Sequence, residues 1–136
     1  MKVLGQSIGE RYALYHGDTV DVARGLPDNS VHFSVFSPPF ASLYVYSASA
    51  RDLGNVRDDE QFFTHYRFFL KQQVRVMMPG RLVAIHCMDM PTSKERDGYI
   101  GIRDFPAAIR EAYEAEGFIF HSRVAIWKCP VAAVTR

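Results

Sequence analysis

Cysteine is scarce in this chain of 136 residues: only Cys87 and Cys129 occur. Their number and spacing exclude a disulfide framework and a four-ligand zinc site. Both lie in apolar, strand-like runs, so they read as reduced thiols buried in a core. Long apolar runs are also missing, which excludes a membrane span by hydropathy. The first residues, Met1 to Ser7, lack the apolar segment of a secretory signal. A cytoplasmic chain without a membrane partner is the expectation. Charge of one sign is absent too, the formal net charge being +1. Total charge therefore gives no argument for a polyanionic partner; binding one would need a local patch or basic residues elsewhere. The histidines, His16, His32, His65, His86 and His121, are scattered without metal-ligand spacing, so no metal is expected. No repeat, low-complexity tract or Gly-x-Gly occurs.

What is present is ordered-protein composition. The 48% hydrophobic and 13% aromatic content suits one domain with a core. Tyr12–His16 reads as a strand ending at Gly17-Asp18, after which Asp18 or Thr19 caps a short helix through Arg24. Gly25 and Pro27 stop that helix, and Pro27–Ser30 is a turn by composition. Val31–Phe36 is β-rich and is broken at once by two prolines. Residues 41–58 read as a long loop, of the length that is usually functional or mobile.

From Asp59 to Met78, Phe62, Phe63, Tyr66, Phe69, Leu70, Val74 and Met77 recur at helical spacing, and Pro79-Gly80 ends the pattern. The aromatic stripe reads as core, not as a stacking platform. Arg81–Cys87 is a near-continuous apolar run, the mark of a doubly buried strand. Residues 88–103 form a second polar loop. Asp104 before Phe105-Pro106 starts a helix that continues through Ala107, Ala108, Ile109, Ala112 and Tyr113 to Gly117. Phe118–Lys128 reads as a further strand, ended by Cys129-Pro130. The alternation argues for an α/β fold with a mostly parallel sheet.

In such sheets ligands bind beyond the carboxyl ends of the strands, and Ser37-Pro38-Pro39-Phe40 occupies that kind of position. Two prolines fix the local dihedrals and remove two amide donors, leaving rigid carbonyls free to accept. The Ser37 side chain and a proline carbonyl can hold the two hydrogens of an amino group, while Phe40 offers a flat face to a base. A strand end with a polyproline turn and a buried aromatic is the plainer alternative.

In order along the chain, Tyr15-His16-Gly17-Asp18, Leu26–Val31, Ser37-Pro38-Pro39-Phe40, Val76–Leu82, Gly117-Phe118 and Ile126-Trp127-Lys128-Cys129-Pro130 resemble the β-group amino-methyltransferases of DNA. The resemblance runs from about residue 12 to 130. It implies a partial Rossmann-like methyltransferase sheet, mostly parallel with a terminal antiparallel hairpin. It also implies S-adenosyl-L-methionine as cofactor and double-stranded DNA as partner. The activity would be site-specific methylation of cytosine N4 or adenine N6, as in restriction–modification systems.

Ser37, Pro38 and Phe40 would then position a flipped base, with Pro39 holding the loop shape. Asp18, with Thr19 beside it, matches a position that meets the cofactor adenine; Ser37 also borders that cofactor. A simple helix N-cap is the alternative for Asp18. Serine at the first motif position favours cytosine N4. Direct attack by the nitrogen on a sulfonium methyl needs no covalent intermediate. C5-cytosine chemistry is excluded, because Cys129-Pro130 reverses the Pro-Cys order. Arg51, Arg57, Lys94 and Arg96 are candidates for phosphate contacts, with solvated loop charges the plainer reading.

Residues 1–136 thus read as a single catalytic-half domain lacking the C-terminal cofactor glycine loop, Asp-x-Phe-x-Gly-x-Gly in the family. A fragment of a longer enzyme is the favoured explanation. A chain completed by a second polypeptide, and a binding or assembly module without catalysis, are the alternatives. A protein glutamine or an RNA base is a further substrate class that related Pro-Pro loops serve.

Overall fold

The computed structural model describes residues 2–40, 47–49, 51–56 and 58–129. The expected strand at 12–16 is present as β2 (Ala13–His16). It pairs antiparallel with β1 (Gly5–Ile8), a neighbour that the sequence pattern does not announce. Helix α1 (Thr19–Arg24) follows at once. Asp18 caps it, accepting from the backbone N–H groups of Val20 and Asp21 at 3.0 and 3.1 Å.

Strand β3 (Val31–Phe36) leads into the proline turn. A 3₁₀ turn at Leu53–Asn55 lies within the long loop, the rest of which falls partly outside the described residues. Helix α2 (Asp59–Val76) is capped by Asp58, which accepts from Gln61 N–H at 2.8 Å. The helix ends two residues before Met78. A residue preceding proline is disfavoured in helical conformation, and Met77 is already captured by pairing with Val31. Strand β4 (Met77–Ile85) therefore begins earlier than the apolar run suggests, and Pro79-Gly80 forms an irregularity inside it. Between Val31/Met77 and Phe33/Leu82, two residues advance on β3 while five advance on β4. Gly80 takes φ 76°, a left-handed conformation that glycine adopts without strain.

β3 and β4 form a parallel pair joined through α2. The polar stretch 88–103 is a small folded unit, not a loop: β5 (Met90–Thr92) pairs antiparallel with β6 (Gly101–Arg103) around one helical turn, α3 (Lys94–Asp97). Arg103 ties it to the start of α2 through Asp59 at 2.8 Å. Helix α4 (Phe105–Ala115) begins where predicted, with Asp104 accepting from Ala107 N–H at 2.8 Å. Gly117, at φ 98°, ends it as expected.

Among the described residues, two of the three two-stranded sheets are antiparallel. The structure is a mixed α/β arrangement with small sheets, and among the described residues parallel pairing is confined to β3–β4. The strand expected over Phe118–Lys128 carries no ladder: residues 118–129 have no strand assignment, and Trp127 is 90% exposed. β-rich composition describes a side-chain fit to a sheet surface, and without a neighbouring strand it does not make one. The terminal antiparallel hairpin is accordingly not formed among the described residues. Cys129 is exposed and Cys87 half-buried, so neither is the fully buried thiol expected.

The core gathers Phe62, Tyr66, Leu70, Met90, Phe105, Ile109 and Tyr113 with Val56, between α2, α4 and one face of β3–β4. Val83, Ile85 and Phe36 close it from the sheet. The helical stripe differs from expectation at one place: Gln73 is buried and Val74 exposed. Gln73 is satisfied there. Its Nε2 donates to Ser34 Oγ at 3.0 Å, and its Oε1 accepts from the Tyr113 hydroxyl. Tyr113 in turn lies 3.3 Å from the Tyr66 hydroxyl. Burial pushes both phenols well above their usual range.

Arg75, near the end of α2, joins that helix to α1. Its guanidinium donates to the carbonyls of Ala23 and Leu26 at 2.8 and 2.9 Å and pairs with Asp28. The Ala23 carbonyl already accepts from Leu26 N–H at 3.0 Å, so the Arg75 side chain adds a second donor there and ties the turn after α1 to the end of α2. Arg75→Met keeps the apolar stem and removes these bonds. It is expected to lower stability by about 2 kcal/mol, measured as a fall in the denaturation midpoint.

Candidate active site

The parallel pair ends at Phe36 and Ile85, which are in register. His86 N–H donates to the Phe36 carbonyl at 2.9 Å, extending the ladder one step. Beyond that step Ser37 Oγ lies 3.0 Å from His86 Nδ1, with both side chains exposed. Pro38 is buried and Pro39 half-buried, so the turn is anchored on the core while the serine hydroxyl faces out. Phe40 is partly buried against the core and meets Phe105 edge-on, with ring centroids 6.2 Å apart. The aromatic is thus not a free platform: part of its ring is committed to Phe105 at the start of α4.

Asp18 and Thr19 sit at the exit of β2, which pairs with β1 and not with β3. The two groups of predicted residues therefore occupy the exits of two different sheets. Asp18 combines its capping role with an ion pair to Arg51 at 3.2 Å. Arg51 also reaches Asp21 at 2.9 Å, and that hydrogen bond holds the Asp21 carboxyl below the ordinary carboxylate range. Arg51 thus pins residues from the long loop onto the start of α1. Of the other loop cations, Arg96 is engaged with Asp97 at 3.1 Å and the Pro91 carbonyl at 3.0 Å. Lys94 is exposed, and Arg57 lies outside the described residues. Arg51 and Arg96 are thus committed to contacts within the chain.

His86 is the site residue that sequence reasoning passed over. A search for metal spacing finds nothing in it. The available signal was positional: it follows the second apolar strand as Ser37 follows the first. Cys87 beside it is half-buried, and burial raises its thiol above the usual range, which argues against a reactive thiolate. Among the described residues no group of three or more His, Cys, Asp or Glu side chains is arranged to hold a metal ion. No helix among them is long and apolar enough to cross a membrane.

No protein-family model matches the chain, and no curated protein matches it. Solved structures do. Three crystal structures of a Thermus thermophilus protein, provisionally designated a DNA modification methylase, share its fold. The selenomethionine derivative gives a TM-score of 0.58 at 23% identity, and a further crystal structure 0.57 at 25%. The third, crystallised in complex with S-adenosyl-L-methionine, gives 0.59 at 26%. Each alignment covers 76% of this chain and between 37% and 39% of the other. The chain therefore spans less than two fifths of the length of the structures it matches.

Proposed function

We propose that this chain is the target-amine half of an S-adenosyl-L-methionine-dependent DNA methyltransferase acting on an exocyclic base nitrogen, cytosine N4 in preference to adenine N6. One observation carries the reading: the Ser37-Pro38-Pro39-Phe40 turn leaves the exit of a parallel strand pair with its hydroxyl facing out. The likeness in fold to a protein provisionally designated a DNA modification methylase, and crystallised with S-adenosyl-L-methionine, supports it. On this reading β3 and β4 belong to a larger, mostly parallel Rossmann-like sheet. Residues 1–136 are one catalytic-half domain of it, in a cytoplasmic protein.

The residues present fit part of the cofactor. Asp18 offers a carboxylate at a strand exit, 28% exposed, with the acceptor chemistry that an adenosine amine or hydroxyl needs. Thr19 is exposed beside it. No Gly-x-Gly occurs in residues 1–136 to let backbone approach the methionine end, so these residues fit the adenosine end of the cofactor alone. When bound, the cofactor supplies an electrophilic methyl group. This chain's own residues hold the acceptor. Ser37 Oγ and a proline carbonyl of the turn accept the hydrogens of the amine and direct its lone pair. Pro38, buried, keeps that carbonyl frame rigid. Phe40 presents what remains of its ring surface to the base.

The test is transfer of labelled methyl from S-adenosyl-L-methionine to mixed-sequence double-stranded DNA by the intact protein, followed by nucleoside analysis. Label in N4-methylcytosine supports the full reading, and label in N6-methyladenine corrects the base. No transfer sinks it.

A second reading, a binding or assembly module that needs a partner chain, is favoured by one observation. The outer face of β3–β4 leaves Phe33 58%, Val35 68% and Leu82 54% exposed, whereas parallel sheets are ordinarily covered on both faces. Calorimetry with S-adenosyl-L-methionine separates the two: micromolar affinity of the 136-residue chain removes the case for incompleteness.

A further inference from the structure

Side chains alternate along a strand, and in a parallel pair residues in register point the same way. Phe33, Val35 and Ser37 therefore share a face with Leu82, Ala84 and His86, the last pair one step beyond the ladder. Two features fix His86 there. Its N–H is bonded to the Phe36 carbonyl at 2.9 Å, and its ring nitrogen Nδ1 stands 3.0 Å from Ser37 Oγ. Both side chains are exposed, so water competes for the bond and it contributes little to folding. Its value lies in the direction it gives to a hydroxyl.

A serine hydroxyl has one hydrogen and two lone pairs, and it rotates. To accept from a base amine it must point its own hydrogen elsewhere. We infer that His86 is the positioning residue for Ser37: neutral Nδ1 accepts the Ser37 O–H and leaves the oxygen lone pairs toward the amine. This rests on the amino-methyltransferase reading above. It requires the tautomer with hydrogen on Nε2, because a hydrogen on Nδ1 would consume one Ser37 lone pair and free the hydroxyl to rotate. His86 acts through Ser37 and does not touch the reacting atoms.

The intact protein is assayed with labelled S-adenosyl-L-methionine and DNA. His86→Ala is expected to lower kcat by about tenfold to a hundredfold, with KM for DNA and cofactor within about twofold. His86→Asn, whose side-chain oxygen reaches toward the place of Nδ1, is expected to recover most of that loss. A second arm needs no turnover. Nitrogen-15 NMR of the histidine rings is expected to show His86 as the Nε2–H tautomer, and Ser37→Ala to shift its Nδ1 resonance. Unchanged kcat in His86→Ala, or failure of Asn to rescue, overturns the positioning role while leaving an active wild type as a methyltransferase. An His86 resonance indifferent to Ser37→Ala overturns it as well. A wild type without methyl transfer removes both the reading and the role, and the NMR arm then reports only whether the pair forms.

Discussion

Ser37→Ala is expected to reduce methyl transfer by about a hundredfold or more, with the fold intact. The hydroxyl is exposed and its hydrogen bond is to His86, a side chain equally open to water, so its removal leaves no buried group unsatisfied. Structural cost is therefore small, and the effect falls on the reaction. Single-turnover kinetics would separate the two, since a loss of orientation lowers the chemical rate and leaves binding of DNA alone. A variant as fast as wild type would show that the turn does not hold the amine through its serine.

Phe62→Ala is expected to cause the largest loss of stability, about 3–5 kcal/mol. The ring is 0% exposed and packs against Phe63, Tyr66 and Phe105 at centroid distances of 5.0, 5.3 and 5.6 Å. Folding of small domains is marginal, on the order of 5–15 kcal/mol, so this variant sits near the threshold of unfolding. Its consequence also reaches the site, because Phe105 is the ring on which Phe40 rests. Chemical denaturation measures the first effect. A loss below about 1 kcal/mol would mean that the aromatic cluster is not the centre of the core.

Much of this was legible in the residues. The capped helix after Asp18, the strand Val31–Phe36, the long helix and the Asp104 cap each follow from local chemistry: a short acidic side chain, β-branched runs and spaced aromatics. Three features were not. Gln73 faces inward because two distant partners, Ser34 and Tyr113, satisfy it, and no local signal announces a partner. Phe118–Lys128 has strand composition, but composition does not supply a neighbouring strand. Likewise Arg51 reads as a loop charge until folding brings Asp18 and Asp21 to it. For the candidate site, the Ser-Pro-Pro-Phe turn was visible as a motif. His86 became visible only through the register of β3 against β4.

That register has a further consequence, for the order in which the parts form. The β1–β2 and β5–β6 pairs close over short stretches of chain, which is fast. Ser37 and His86 are 49 residues apart and meet only when α2 has carried the chain across and laid β4 beside β3. A state holding the local hairpins alone has secondary structure and no site. The Ser37–His86 contact therefore reports the docking of β4 on β3 and not the closure of the local hairpins.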